Sequence, residues 1–193
     1  MNELLYTPVS LIIERGVAMN VVRLVKKAKK GNKNALLKLI LVEKDAYYRL
    51  AFTYMGNSHD AMDAVEDMIV KLYENIHQLK NEKAFYSWSK TILVNRCKTI
   101  LRKSSDFQYM EQEQINEQDH HNPHIRTDHQ LNITEMLSKV NEHQKEALQL
   151  KYFHDFDYQT IAEMTNVSIG TVKSRIFQGL KKLRDYYGGE HGE

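Results

Sequence analysis

Residues 157–183, DYQTIAEMTNVSIGTVKSRIFQGLKKL, read as two short helices joined by a tight turn. Asp157 suits the start of the first helix and Ser168 the start of the second, because their side-chain oxygens can accept hydrogen bonds from unpaired amides of the first turn. Asn166, between them, tolerates the left-handed backbone conformation of a tight turn. The pattern predicts a helix-turn-helix, a motif whose second helix lies in the DNA major groove.

The second helix of this stretch has an apolar side and a basic, polar side. Its predicted buried stripe repeats at i, i+4, i+8 and i+11 and consists of Val172, Ile176, Leu180 and Leu183. The opposite side carries Ser174, Gln178 and Lys181, flanked by Lys173, Arg175 and Lys182. Any amphipathic helix with a solvated basic side shares some of these features, so the two caps and the turn are what favour DNA binding.

Composition favours a mostly helical protein of one or two small domains. The chain has 193 residues with only 2 prolines and 8 glycines. Its single cysteine, Cys97, excludes an internal disulfide and a cysteine-based zinc cluster, and we expect a thiol in the core. No apolar run approaches the roughly 18 residues of a membrane span, and the first residues lack the pattern of a signal peptide. We therefore expect a cytoplasmic protein.

Charge is distributed unevenly along the chain, although the net charge is only +2. Residues 1–105 hold 18 Lys and Arg against 10 Asp and Glu, which gives +8. Residues 106–135 hold one against seven, which gives −6, and residues 136–193 balance at eight each. A basic first half and a helix-turn-helix near the end suit a chain that meets DNA at two places.

The first half predicts four helices, over residues 21–30, 34–55, 59–77 and 84–103, with a polar loop at 78–83. The third helix carries four acids near its start: Asp60, Asp63, Glu66 and Asp67. The polar side of the fourth predicted helix carries Ser87, Thr91, Asn95, Lys98 and Arg102. Arg96 projects near its apolar side, so we expect it to pair with an acid such as Asp63 or Glu66.

Two segments do not fit a helical core. Residues 1–18 are interrupted by Pro8, and purine-rich codons for residues 14–16 would resemble a ribosome-binding site ahead of Met19; either translation starts at Met19 or residues 1–18 are an ordinary N-terminal extension. Residues 105–130 are polar and contain Pro123, which predicts a linker. Its four histidines are His120, His121, His124 and His129. Without cysteines or a ligand pattern they do not predict a metal site.

Three motifs together resemble the extracytoplasmic-function (ECF) sigma factors, group IV of the sigma-70 family, Gram-positive type. They are DAMDAVEDMIVKLY (60–73), AFYSWSKTILVNRCKTILRK (84–103) and YQTIAEMTNVSIGTVKSRIFQGLKKLR (158–184). The resemblance implies an all-α chain of two small helical domains, the region 2 bundle at 19–104 and the region 4 helix-turn-helix at 131–188. A flexible polar linker at 105–130 joins them, and residues 189–193 form a tail.

The resemblance also implies site residues by position. The family's region 2.2 helix docks on the β′ clamp helices of RNA polymerase, which corresponds here to Asp60, Asp63, Glu66 and Asp67. The family opens the −10 element and holds a flipped base with positions that correspond to Leu79, Lys80, Asn81 and Asn95, beside Lys98, Arg102 and Lys103 near the DNA backbone. Tyr86 and Trp88 are either stacking platforms or core residues, and we expect Trp88 in the core.

The −35 element is read in this family by the second helix of the helix-turn-helix. The corresponding residues are Lys173, Ser174, Phe177 and Gln178, with Arg175 and Lys181 near phosphates. Many members carry arginine where this chain has Gln178. Arginine favours guanine O6 and N7 whereas glutamine favours adenine N6 and N7, so the base preference here is open.

The expected function is promoter recognition and the start of strand opening by core RNA polymerase, without a cofactor. The expected partners are the polymerase β′ clamp helices and β flap, promoter DNA and an anti-sigma factor, often membrane-bound. The alternative is a stand-alone helix-turn-helix regulator whose first half senses a signal or dimerises. An enzyme is disfavoured, because the sequence has no Gly-rich phosphate loop, no nucleophile in a recognisable setting and no metal-ligand spacing.

Overall fold

The computed structural model describes residues 20–111 and 128–188, with side chains from 20 to 103 and from 133 to 188. Helix is the regular structure throughout these ranges, which contain no strand. The α-helices are α1 (residues 20–29), α2 (Lys33–Val42), α3 (Lys44–Met55), α4 (Ser58–Asn75), α5 (Phe85–Glu111), α6 (Asp128–Ser138), α7 (Glu142–Tyr152), α8 (Tyr158–Thr165) and α9 (Ile169–Tyr187). Two short 3₁₀ helices, Ile76–Gln78 and Glu82–Ala84, lie between α4 and α5.

The chain divides into two compact units at Lys103/Ser104. No helix within the described ranges is both long and apolar enough to span a membrane. Residues 1–18, to which the start-site hypothesis refers, lie outside the described residues. The side chains of the four linker histidines also lie outside the described range. Helix α5 continues to Glu111 and α6 begins at Asp128, so both ends of the predicted linker are helical. No proline or glycine interrupts residues 103–111.

Polar caps define the helices of the first unit. Asn32 Oδ1 accepts from the Ala35 amide at 2.9 Å at the start of α2, and Asn57 Oδ1 accepts from the Asp60 amide at 2.9 Å at the start of α4. Between α3 and α4, Gly56 takes the left-handed conformation with φ 74°, which costs glycine little. Gly31 and the run Gly56-Asn57-Ser58 predict breaks at these two places, and the helices are interrupted there.

The predicted helix over residues 34–55 is wrong in one respect, because two helices occupy this range. They are separated at Glu43, whose φ of −111° and ψ of 13° are not helical. The Glu43 amide bonds to the Ile40 carbonyl, three residues back, and its carboxylate lies 2.9 Å from Lys90 Nζ of α5. The helix break at Glu43 thus coincides with a tertiary contact to α5. No glycine or proline lies near it in the sequence, so local helix propensity does not predict the break.

The core of the first unit contains one buried polar link. Tyr47 of α3 and Ser89 of α5 are both fully buried, and their hydroxyl oxygens are 2.7 Å apart. The Ser89 hydroxyl is also 3.0 Å from the Tyr86 carbonyl. Burial raises the pKa of Tyr47, so the phenol remains neutral and can serve as donor or acceptor. The surrounding core side chains are Leu39, Leu50, Met68, Leu72, Phe85 and Leu93.

The second unit contains the predicted helix-turn-helix, α8 and α9. Asp157 caps α8 by accepting from the Thr160 amide at 2.9 Å, and Ser168 caps α9 by accepting from the Thr171 amide at 3.1 Å. Asn166 has φ 53° and ψ 48°, the left-handed conformation. The sequence prediction of this turn is confirmed residue by residue.

The buried stripe of α9 differs from the prediction at one position. Gly179 is buried, while Leu180 is 37% exposed. The reason is geometric: Leu180 lies eight residues after Val172, which is about 80° around the helix, whereas seven residues return within about 20°. A Cβ on Gly179 would lie 3.0 Å from Leu148 Cδ1, so α9 and α7 approach closely here.

The apolar pattern of residues 148–153 predicts Tyr152 and Phe153 in the core of the second unit, but both side chains are exposed. Tyr152 is 57% and Phe153 is 49% exposed, since they lie where α7 ends and the chain turns toward α8. The pattern after residue 131 predicts Val140 on the apolar side of a helix. Val140 is buried, but it lies in the turn between α6 and α7. The core is completed by Leu137, Leu148, Leu150, Ile161 and Met164.

Candidate polymerase and nucleic-acid interfaces

The four acids of α4 differ in what they contact. Asp60 is half-buried and accepts at 2.8 Å from the side-chain amide of the α4 N-cap. Asp67 is half-buried and accepts from Arg96 Nε at 2.6 Å. Asp63 and Glu66 are exposed. Two of the four predicted docking acids therefore already serve the fold, and the exposed pair is best placed for an outside partner.

Arg96 pairs with an acid of α4, as the sequence predicts. The acid is Asp67, one helical turn beyond Asp63, rather than either of the two named examples. Helical period identifies which side of α4 faces α5, but it does not set how far the helices slide along each other. The contact depends on that register, which packing determines.

An apolar stripe on α4 was missed by sequence reasoning. Met62, Val70 and Tyr73 are 55%, 54% and 50% exposed, and with Glu66 they lie within about 80° of one another around the helix. The apolar pattern of residues 59–77 predicts Tyr73 on the buried side, but its side chain is half exposed, and Lys33 Nζ lies 5.2 Å from its ring centroid. The same periodicity test, applied to the outer face, would have found this stripe. Exposed apolar side chains in a row on one helix are typical of an interaction surface.

The loop between α4 and α5 presents two of its three predicted DNA residues. Lys80 and Asn81 are exposed. Asn81 also caps the second 3₁₀ helix, since its Oδ1 accepts from the Lys83 amide at 3.1 Å. Leu79 is only 5% exposed, so its side chain anchors the loop in the core. Its assignment to the −10 site stays a prediction.

The polar strip of α5 is narrower than its sequence indicates. The Ser87 and Thr91 hydroxyls donate to main-chain carbonyls of the preceding turn, at 3.0 and 2.9 Å. Asn95 and Arg102 are exposed and Lys98 is half-buried. One face of α5 therefore offers an amide and two cations, which suits a base edge flanked by phosphates.

The two aromatic residues near the start of α5 pack around Phe85, which is fully buried. The ring centroids of Tyr86 and Trp88 lie 5.3 and 6.4 Å from that of Phe85. Both are half-buried, so each contributes to the core and retains some accessible ring surface.

Helix α9 exposes five of its six predicted DNA residues. These are Lys173, Ser174, Phe177, Gln178 and Lys181, while Arg175 is half-buried. Phe177 is 69% exposed, more than any other large apolar side chain in the described range. Gln178 Nε2 donates to Ser174 Oγ at 3.3 Å, which aligns the two side chains one turn apart.

Tyr158, the first residue of α8, brings together two lysines that sequence reasoning did not connect. Lys173 Nζ and Lys151 Nζ lie 5.6 and 5.5 Å from its ring centroid, within cation–π range. Lys151 Nζ also donates to the Phe156 carbonyl at 3.2 Å. No local pattern predicts this cluster, because Lys151 and Lys173 are 22 residues apart in the chain.

Cys97 is a core thiol, as predicted. Its side chain is fully buried, and burial raises its pKa to about 12. A thiol in this state is a weak nucleophile and metal ligand, because the reactive form is the thiolate.

Comparisons with known proteins identify both units. The family described as Sigma-70 region 2 matches residues 39–106, and Sigma-70, region 4 matches residues 130–183. The RNA polymerase sigma factor SigV of Bacillus subtilis is 31% identical over 163 residues, which cover 82% of this chain and 94% of SigV. The ECF RNA polymerase sigma factor SigW of Bacillus subtilis is 25% identical over 179 residues, which cover 86% of this chain and 96% of SigW.

Two solved structures share the fold. CnrH in complex with the cytosolic domain of CnrY superposes with a TM-score of 0.64 at 18% identity, covering 88% of this chain and 98% of CnrH. The sigma factor RpoE with the anti-sigma factor NepR from Bartonella quintana superposes with a TM-score of 0.60 at 24% identity, covering 77% and 93%. Two sigma-70 regions in order on one chain, with a relative matched along nearly its whole length, establish that this protein belongs to the ECF sigma factors and directs transcription initiation.

Proposed function

We propose that this sigma factor reads two promoter elements with separate surfaces. Residues 19–104 read and open the −10 element and dock on core polymerase, and residues 131–188 read the −35 element. The observation that carries the proposal is the exposure of Lys173, Ser174, Phe177 and Gln178 along one side of a capped recognition helix. Such a helix fits the major groove, about 12 Å wide.

At the −10 element, the loop residues Lys80 and Asn81 and the α5 amide of Asn95 receive an unpaired base. Flipping a base costs a few kcal/mol of lost stacking, which a pocket offsets with hydrogen bonds to the base edge. The Asn95 amide supplies both a donor and an acceptor. Lys98 and Arg102 neutralise the adjacent phosphates, so this contact weakens as salt rises.

At the −35 element, Gln178 and Ser174 contact base edges while Lys181 and Arg175 contact phosphates. Because Gln178 pairs bidentately with adenine, the proposed preference at its base is adenine. Lys173 and Phe177 lie on the same exposed side, where Phe177 can contact a thymine methyl group.

Polymerase docking is assigned to α4. The exposed Asp63 and Glu66 beside Met62, Val70 and Tyr73 form a mixed acidic and apolar face, suited to the basic β′ clamp helices. The acids orient and speed the encounter, while apolar burial supplies most of the affinity. For the β flap, we assign the exposed Tyr152 and Phe153, neighbouring apolar side chains at the end of α7.

The decisive experiment compares DNA binding and transcription with and without core polymerase. Run-off transcription from the gene's own upstream region should require both the protein and core enzyme. Glu66→Gln with Val70→Ser should lower the yield, while Asp45→Asn, an exposed acid on α3, should not. Tight operator binding by the protein alone, unaffected by core enzyme, would contradict the proposal and favour the stand-alone regulator, which family membership already disfavours.

Regulation by an anti-sigma factor is part of the proposal, because RpoE of Bartonella quintana was solved bound to one. Such a partner, soluble or membrane-bound, would cover the polymerase-docking face. The protein would act in the cytoplasm beside the polymerase and do no chemistry itself. The acidic segment 105–130 would run near the polymerase active-site channel in place of nucleic acid; replacing its acids with glutamine should then alter initiation.

A further inference from the structure

Lys29, on α1, reaches across to the loop that precedes α5. Its Nζ donates to the Leu79 carbonyl at 2.8 Å and to Glu82 Oε1 at 3.2 Å. Lys29 and Glu82 are each 26% exposed, so the contact is partly shielded from water. Lysine carries three donors, and here one ammonium joins two points of the loop.

The two points lie on either side of the proposed −10 residues. Leu79 comes directly before Lys80, and Glu82 comes directly after Asn81. Between them Lys80 and Asn81 are exposed. One ammonium group thus fixes both ends of the two-residue segment that is proposed to meet the flipped base.

The rest of the loop is held by short-range bonds. The Leu79 amide donates to the Ile76 carbonyl at 3.3 Å, and the Ala84 amide donates to the Asn81 carbonyl at 3.0 Å. Both are 3₁₀ bonds, which have poorer geometry than α-helical ones and persist over short runs. The buried Leu79 side chain anchors the loop in the core at the end that precedes Lys80. Lys29 adds a long-range restraint, across 50 residues, that neither 3₁₀ turn provides.

We infer that Lys29 is a positioning residue for −10 recognition: it holds residues 79–82 in the conformation that presents Lys80 and Asn81 to the base, without touching DNA itself. The inference rests on the proposed −10 role of this loop. It also assigns a function to α1, which lies outside the residues 39–106 that match the family's region 2. A loop fixed before binding loses less conformational entropy when the base enters.

The test measures base selectivity in the assembled holoenzyme. Single-stranded −10 oligonucleotides from the gene's own upstream region, with each base replaced in turn, are bound to core polymerase carrying the full-length protein. Lys29→Met keeps the aliphatic stem and removes the ammonium. Lys27→Met is the matched control, since Lys27 is an exposed lysine on the same helix. Lys29→Arg restores donors at the same place.

We expect Lys29→Met to reduce discrimination between the preferred base and its replacements by about 3- to 10-fold, the scale of one ordinary net hydrogen bond, since the contact is partly exposed. Lys27→Met should retain the profile, Lys29→Arg should recover much of it, and binding to core polymerase should be unchanged. Glu82→Gln, which keeps the side-chain size, should produce a smaller loss of selectivity. If Trp88 fluorescence shows that Lys29→Met is unfolded, Glu82→Gln tests the role of the Lys29 contact instead.

Three outcomes overturn the inference. An unchanged base profile in folded Lys29→Met, with selectivity lost in Asn81→Ala, removes the role of Lys29 and leaves the loop's −10 role intact. If Lys29→Met, Lys80→Ala and Asn81→Ala all keep the wild-type base profile, neither Lys29 nor the loop takes part in −10 recognition. Equal loss in Lys29→Met and Lys27→Met assigns the effect to general charge rather than to loop position.

Discussion

Arg96 Nε of α5 lies 2.6 Å from Asp67 Oδ2 of α4, so the helix proposed to read the −10 element is tied to the helix proposed to dock on polymerase. Both side chains are partly exposed, at 33% and 43%. Such a pair contributes modestly to stability. It nevertheless explains why Asp67 differs from its neighbours Asp63 and Glu66, whose carboxylates are exposed.

Removing this pair should destabilise the first unit. Asp67→Asn should lower the free energy of unfolding by about 0.5–1 kcal/mol, and a double-mutant cycle with Arg96→Met should show a coupling of similar size. Trp88, the only tryptophan, reports unfolding of this unit by fluorescence. Asp63→Asn is the control, with little expected effect. Additive single and double variants would contradict a direct pair.

Docking on polymerase should depend on the outer face of α4. Glu66→Gln should weaken binding to core enzyme mainly through a slower association that depends on salt. Met62→Ser should speed dissociation, because it removes apolar area from the interface. Binding kinetics at low and high salt separate the two effects. If neither variant differs from Asp45→Asn on α3, the docking face lies elsewhere.

Gln178→Arg should change the preferred base of the −35 element from adenine toward guanine rather than only weaken binding. Arginine pairs with guanine O6 and N7, and a bidentate contact discriminates by about 1–3 kcal/mol. A binding selection with holoenzyme on randomised −35 sequences measures the preference. Lys182→Arg, a change on the same helix outside the proposed contact set, is the control. The same profile for wild type and Gln178→Arg would refute the contact.

The Asp157 cap should make the second unit sensitive to acid. Hydrogen bonds from the Thr160 amide and hydroxyl hold the pKa of Asp157 below its ordinary value of 3.8. Because the unfolded chain then binds the proton more readily, the stabilisation is complete above about pH 4 and is lost as pH falls through the lower folded value.

Two variants separate the cap from its charge. Asp157→Ala should cost about 1 kcal/mol at neutral pH, since the Thr160 amide loses its acceptor. Asp157→Asn keeps an acceptor oxygen and should flatten the pH dependence between pH 2 and 5. Denaturant unfolding followed by circular dichroism at several pH values measures both. An unchanged slope against pH in Asp157→Asn would show that other carboxyls carry the acid sensitivity.

Local signals made the helix-turn-helix predictable. Asp157, Asn166 and Ser168 each determine a cap or turn through their own side chain or backbone preference, so neighbouring residues suffice to place them. The helix break at Glu43 was not predictable in this way. Its sequence is helix-compatible, and the contact with Lys90 lies 47 residues away in the chain.

The sequence indicated which helix faces carry the candidate sites better than it indicated which side chains on those faces are accessible. Periodicity and family resemblance identified the faces of α4, α5 and α9 that are exposed. They did not reveal that Asp67 is engaged by Arg96 or that Leu79 is buried, because these depend on helix register and on how a loop folds onto its neighbours. The contact of Lys29 with that loop joins residues 50 positions apart and has no local signature.

Gly179 leaves no side chain between the recognition helix and α7, where a methyl group would come within 3.0 Å of Leu148. In the proposed −35 contact, the size of Leu148 would therefore help to set how far α9 enters the groove, although Leu148 lies on the side of α9 away from the proposed DNA contacts. Exchanging Leu148 for a smaller or larger residue would tilt the helix while its reading side chains stay the same. We therefore expect promoter preference to respond to substitutions in the scaffold behind α9 as well as to those among the proposed contact residues.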